Sequence, residues 1–385
     1  MFAIPLAWLQ LKREKMRLLI ALAGIGFAVI LMFIQLGFQD ALFDSSISMH
    51  KELQGDIFLI SPQSTSMIAM KNFSQRRLYQ TLGYNGVESI SPIYLDFALW
   101  KNPENQRTRG ILAIGFDPSR PIFSRELVPD LTPIRLADVV LFDEKSRAEF
   151  GPIPKLFATG EPVVTEVAGR RLTVGGLFAL GASFGADGNI ITSDTNFLRI
   201  FSRRTSGMID VGMVTLKPGA DLDSLLKQMR RDLQDPFEDV KVLSKAEFIE
   251  FERDYWRSST AIGFIFTLGT AIGFLVGTVI VYQILYTDIT DHLAEYATLK
   301  AMGYRNFYLL TLVFQEAVIL SILGFIPGFL LSLGLYNLTR NATSLPITMT
   351  TDRAILVLCL AMTMCIISGA IAVRKVQDAD PADIF

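Results

Sequence analysis

Residues 261–286 read AIGFIFTLGTAIGFLVGTVIVYQILY, 26 positions in a row without a charged side chain. As a helix this run would be about 39 Å long, more than the ~30 Å hydrocarbon core of a bilayer requires. Three further runs have the same character. Leu18 to Phe38 is uncharged over 21 residues and Ala354 to Val373 over 20. Phe307 to Leu338 is longer and is interrupted by Glu316 and Pro327. Apolar runs in soluble cores seldom exceed about 10–14 residues, so four together point to lipid.

Composition agrees. Half of the 385 residues are apolar and 19% are charged, where about a quarter is usual for a soluble protein. The net charge of −2 argues against a nucleic-acid partner. Cys359 and Cys365 both fall in the last apolar run and read as small hydrophobes.

The sequence predicts an integral membrane α-helical protein with four transmembrane helices and a large α+β extracytoplasmic domain between helices 1 and 2. Lys12, Arg13, Lys15 and Arg17 precede the first run, and Arg374-Lys375 follow the last. Cytoplasmic loops are enriched in such residues, so both termini are expected on the cytoplasmic side, with the large domain outside. Arg340 and Arg353 dissent mildly. The first run exceeds the length of a signal-peptide core and is expected to remain as an anchor.

The expected organisation is an amphipathic interfacial helix at 1–16, spans at 17–39, 261–286, 307–338 and 353–373, and a periplasmic domain at 40–255. A cytoplasmic loop at 287–306, a short periplasmic loop at 339–352 and a cytoplasmic tail at 374–385 complete it. Leu6, Trp8, Leu9 and Leu11 of the first segment can face lipid, with Lys12, Arg13 and Lys15 toward headgroups.

Within the large domain, stretches at 56–62, 111–116, 139–142, 171–180 and 189–194 read as strands bounded by Pro, Gly and Asp. Residues 73–82 read as a helix that Gly83 ends. At 209–234 a strand and turn lead into an amphipathic helix capped by Asp221, and VKVL at 240–243 gives the next strand, a β-α-β unit.

Signatures of catalysis are missing from the chain. It contains no G-x-x-x-x-G-K-[ST] phosphate cradle, no G-x-S-x-G elbow and no H-E-x-x-H. Its two histidines, His50 and His292, lie on opposite sides of the expected membrane. No cofactor or metal is expected, and energy for any work must come from another subunit.

Gly269, Gly273 and Gly277 are spaced four apart and share one helix face, as do Gly324, Gly328 and Ser332. Small residues let helix backbones approach, so each stripe predicts a packing seam, within the bundle or across a homodimer. Glu316 stands inside the third run, where an acid is costly and faces protein or water. A structural hydrogen bond and a relay role both fit it.

The loop DHLAEYATLKAMGY, 291–304, is two-faced. Leu293, Tyr296, Ala297, Leu299 and Met302 make one apolar side, and Asp291, Glu295 and Lys300 lie toward the other. Such a helix can lie on the membrane or fit a groove on a cytoplasmic partner.

The chain resembles the permease subunits of the MacB/FtsX-type ABC exporter superfamily in its order of elements: one span, a large domain, then three spans. EYATLKAMG at 295–303 is similar to the family's E-x-A-x-L-[KR]-A-[ML]-G pattern. FQEAVILSILGFIPG at 314–328 resembles its third-span acid and spaced glycines, and DADPADIF at 378–385 resembles its DP-x-E-A-L ending, with Asp383 in place of Glu and Ile-Phe in place of Ala-Leu. LKPGADLDSLLKQMRRDL at 216–233 resembles the α/β element of its periplasmic core. Within the superfamily the chain looks most like the DevC permeases of cyanobacterial DevBCA exporters.

The resemblance implies a DevA-like ATPase that binds the ATP, a DevB-like adaptor, a TolC-like outer-membrane channel, a homodimer and lipid-like cargo. It implies an ATPase contact at His292, Leu293, Glu295, Tyr296, Leu299, Lys300 and Met302, with Gly303 fixing the exit. Three rivals remain open: an FtsX-like regulator of cell-wall hydrolases, a lipoprotein-release permease, and a receptor or scaffold without any ATPase.

Overall fold

The computed structural model describes residues 15–234, 238–292, 298, 302, 306–343 and 345–378. Two compact units emerge: Leu42–Thr260, and the remainder of the chain on either side of it.

Helix α1 (Lys15–Ser46) leads from the second unit into the first-named one. There follow α2 (Ser48–Glu52), β1 (Ile57–Ile60), β2 (Phe73–Ser74), α3 (Gln75–Gln80), β3 (Val87–Lys101), β4 (Thr108–Phe116) and β5 (Val139–Asp143). Next come α4 (Ile153–Ala158), β6 (Val163–Val167), β7 (Arg170–Phe178), β8 (Asn189–Ser193), α5 (Asp194–Ile200), β9 (Met208–Ile209) and β10 (Val211–Leu216). The domain ends with α6 (Leu222–Met229), β11 (Lys241–Ser244) and α7 (Lys245–Asp254). Among the described residues three long helices follow: α8 (Ala261–Asp291), α9 (Asn306–Thr343) and α10 (Thr351–Asp378).

Nine strands form one mixed sheet in the order β11-β1-β10-β3-β4-β8-β5-β7-β6. The pairs β4–β8 and β5–β7 are parallel, and the other neighbours antiparallel. Strand β6 also returns to β3 through Trp100 opposite Val167, so six strands close on themselves. Trp100 fills that closure, fully buried, with Nε1 donating to the Phe150 carbonyl at 3.1 Å and its ring 5.0 Å from Phe142.

Both faces of the sheet are covered. Ile57 and Leu59 of β1 pack into one apolar cluster with Leu225, Leu226 and Met229 of α6. Phe58 and Ile60 of the same strand enter another with Met49, Leu53 and Phe248. Side chains alternate across a strand, so a strand buried on both faces shows no polar alternation.

Strands stand at all five expected stretches. The stretch read as a helix at 73–82 opens with β2, and α3 covers Gln75–Gln80 before a 3₁₀ turn at Thr81–Gly83. The β-α-β reading needs a correction: β10 and β11 are not neighbours, because β1 lies between them, antiparallel to both. The unit is a split one, completed by a strand from far earlier in the chain. Asp221 does cap α6, its carboxylate accepting from Ser224 N at 3.2 Å.

One buried polar pair sits between the two segments that enter and leave this domain. His50 of α2 and Glu252 of α7 are 0% and 1% exposed, with Nε2 and Oε2 3.7 Å apart. Glu252 accepts from Met67 N at 2.6 Å and Trp256 Nε1 at 2.8 Å, whereas neither His50 nitrogen has a hydrogen-bond partner among the described residues. Burial holds the imidazole down to about 3 and pushes the carboxyl up to about 7. At neutral pH the approach is therefore not an ion pair.

These shifts oppose each other. A neutral buried His50 loses ground as pH falls below 6.5, where the unfolded imidazole protonates. Glu252 takes up its proton near 7 when folded but near 4.5 when unfolded, so folding gains as pH falls between those values. Between 6.5 and 4.5 the two slopes cancel. Glu252→Gln should unmask the histidine, with the full-length protein's domain melting at progressively lower temperature as pH falls through that window. His50→Gln should do the reverse, each slope being up to about 1.4 kcal/mol per pH unit. Superimposable pH profiles for parent and both variants would dismiss the pairing.

Candidate functional site

Four helices among the described residues are long and apolar enough to cross a membrane: Lys15–Ser46, Ala261–Asp291, Val313–Ala342 and Thr351–Val373. In lipid, apolar surface is not driven together, so van der Waals packing and polar contacts must hold such helices. The glycine stripes supply the first. A Cβ at Gly269 would come within 2.5 Å of the Gln35 amide, and one at Gly273 within 3.4 Å of Leu31. At Gly277 it would meet Ala28 at 2.7 Å and run into the Met364 sulfur. At Gly324 and Gly328 it would meet Ile25 at 2.5 Å and Val29 at 2.7 Å. The stripes of α8 and α9 therefore press on the same helix, α1, and the seams lie inside the bundle.

Polar contacts supply the second. Ser368 Oγ donates to the Thr278 carbonyl at 2.7 Å, tying α10 to α8, and Tyr336 OH donates to the Phe33 carbonyl, tying α9 to α1. Arg353, a dissenter from the charge asymmetry, is 6% exposed. Its Nε is 3.1 Å from Asp40, and Nη1 reaches the Thr348 carbonyl at 2.6 Å.

The opposite end of the bundle carries a charged brace. Arg17 of α1 reaches Asp288 of α8 at 3.3 Å and also pairs with Asp291. Glu316 of α9 is buried, shares a hydrogen bond with Asp288 and lies in the field of Arg17. His292 Nδ1 sits 3.0 Å from the Asp288 carbonyl and 3.6 Å from its carboxylate. Among the described residues Arg17 and three acids from three helices thus meet where α8 ends. Among the described residues no cluster of side chains suits a metal ion.

Of the residues assigned to the ATPase contact, His292 belongs to this brace and Met302 is exposed, its N–H donating to Thr298 O at 3.0 Å with helical spacing. Leu293, Glu295, Tyr296, Leu299, Lys300 and Gly303 lie outside the described residues, as do residues 1–14 of the amphipathic segment and the 379–385 ending. Sequence reading missed the brace. Arg17 counted only as an orientation signal, although a cation at the mouth of one span and acids at the mouth of the next were there to be paired.

Two family models cover most of the chain. Residues 18–232 match the MacB-like periplasmic core domain and residues 261–381 the FtsX-like permease C-terminal domain. The chain belongs to the MacB/FtsX-type permeases. It is an ABC-type permease, with the family's core domain between its first and second spans. Among solved structures it is similar to the periplasmic region of MacB from Actinobacillus actinomycetemcomitans, at 10% identity and TM-score 0.36, over 51% of this chain and 91% of that one. It is also similar to the extracellular domain of the ABC-type transporter YknZ from Gram-positive bacteria, at 14% identity and TM-score 0.33, over 49% of this chain and 100% of that one. No curated protein matches.

Two outcomes follow from this packing. Gly277→Leu and Gly328→Leu overpack the α1 seams and should cost about 1–3 kcal/mol each, read as a lowered melting temperature in detergent. Gly273→Ala, with 3.4 Å of clearance, should melt with the parent. Arg17→Gln removes the guanidinium from Asp288 and Asp291 and should cost about 1 kcal/mol, because Arg17 and Asp291 are both partly open to solvent. Arg17→Lys should recover part of it, and a neutral Arg17→Gln would refute the brace.

Proposed function

We propose that this permease is the membrane subunit of a tripartite exporter. A separate ATPase drives it from the cytoplasm, and a periplasmic adaptor and an outer-membrane channel receive what its large domain displaces. The observation that carries the reading is the joint match to both family models over most of the chain. The sequence itself holds no phosphate-binding loop, which fits an engine on another subunit.

In this reading two copies sit on two ATPase subunits. Closure of the ATPase pair on ATP moves segment 291–303. That segment leaves α8 next to Asp288 and Asp291, which Arg17 ties to α1. Helices α8 and α1 then move together, and α1 is the helix that continues to Ser46 beside the large domain's first residues. Switching of this kind needs two discrete arrangements, which the ATPase selects. The basic flanks favour cytoplasmic termini in an inner membrane. Cargo of a lipid-like kind follows from the DevC resemblance.

Lys300→Glu tests the contact. The variant should insert and fold normally while retaining about tenfold less ATPase in a pull-down, a loss of about 1.4 kcal/mol. Full retention removes Lys300 from the interface. Co-purification from the native membrane should bring an ATPase and an adaptor. A hydrolase activator in the adaptor's place would assign the chain to the cell-wall regulators, and absence of any ATPase would overturn the exporter reading.

A further inference from the structure

The loop joining β7 to β8 carries a phenylalanine on the tip of a stiff turn. Ser183 N donates to Ala186 O at 2.8 Å, and Ala186 N to Ser183 Oγ at 3.0 Å. Between them stands Phe184, 42% exposed, whose N–H donates to Ser45 Oγ at 3.3 Å. Its ring meets Trp256 edge-on at 4.9 Å. Gly185 packs so tightly on Ile68 that an added Cβ would lie 2.6 Å from Ile68 Cγ2 and 3.7 Å from Trp256. Ile68 is 36% exposed and Ala69 beside it is exposed. Phe184, Ile68 and Ala69 thus form one apolar patch rooted on Trp256. A free apolar tip gains no stability in water, and the hydrogen bonds that fix it leave it nowhere else to go.

The covalent chain sets how far this patch can be from lipid. Trp256 is five residues before Ala261, where α8 begins, a distance of at most about 18 Å even if fully extended. Ser45 lies seven residues beyond Phe38 in the unbroken helix α1, about 10 Å at 1.5 Å per residue. Phe184 touches both Ser45 and Trp256 and is therefore tethered twice to within reach of the headgroup zone, which adds about 5–8 Å to each side of the hydrocarbon. Aromatic side chains favour that zone. Exposed Lys71 follows the Ile68 turn, and exposed Lys145 packs its stem near Gly181 at the loop's base, both suited to lipid phosphates.

We infer that Phe184, Ile68 and Ala69 are a membrane-contacting foot of the large domain, resting in the headgroup region of the leaflet from which that domain rises. This holds whether or not the protein exports anything. The occupant is the lipid surface, because both tethers end in spans and the patch pairs apolar tips with basic flanks.

The test uses the full chain, with Cys359→Ser and Cys365→Ala, in vesicles of phosphatidylethanolamine and phosphatidylglycerol. A nitroxide is attached at Phe184→Cys, Ala69→Cys or, as reference, Leu136→Cys, which is exposed elsewhere on the domain. Collision with oxygen relative to a water-soluble nickel chelate should be several-fold higher at 184 and 69 than at 136. A ratio at 69 and 184 equal to that at 136 means water and overturns the foot. Shielding of both sites from both agents means a protein partner, a second copy included, and overturns it equally. Should Phe184→Cys fail to fold, Ala69→Cys carries the measurement, since no packed ring is lost there.

Discussion

Helices in lipid gain nothing from hiding apolar surface against one another, because hydrocarbon surrounds them either way. Their association must come from close contact and from polar groups that have no better partner. In this protein both resources converge on α1. The glycines of α8 meet its Ala28, Leu31 and Gln35, and those of α9 meet its Ile25 and Val29. Its ends carry Arg17 and Asp40, which pair with Asp288 and with Arg353. Helix α10 joins through Ser368 and Met364 against α8. The first span thus takes the glycine seams of α8 and α9 and one ion pair from α10, although the large domain separates it from all three in sequence.

The spans were legible because a bilayer imposes a length and a uniform composition, and few soluble structures meet both. The glycine stripes were legible as faces but not as partners: spacing along one helix says nothing of which helix answers it. Charged residues at span ends were legible as charges but not as partners. Arg17 served as an orientation marker and Arg353 as an exception to it, while both are side chains engaged with carboxylates on other helices. A pairing between residues 271 positions apart leaves no local trace.

In the large domain, strands bounded by Pro, Gly and Asp were legible. The longest, β3, was not. Pro92 interrupts it, and its middle residues are buried on both faces, so neither alternation nor a clean run marks it. The partner of β10 and β11 was likewise invisible, because it is β1, some 150 residues earlier. His50 shows the other limit. Its neighbour in sequence is Glu52, yet the acid it meets in the fold is Glu252, through the packing of α2 on α7.

The insertion of β1 between β10 and β11 has a bearing on biosynthesis. As the ribosome delivers the chain, β1 emerges early with both edges bare, and neither neighbour exists until residues 211–244 have followed. Contacts of such separation form slowly, and an unpaired edge invites other strands. A chain cut short before residue 241 would leave the β1 edge that β11 covers open, a ready template for aggregation.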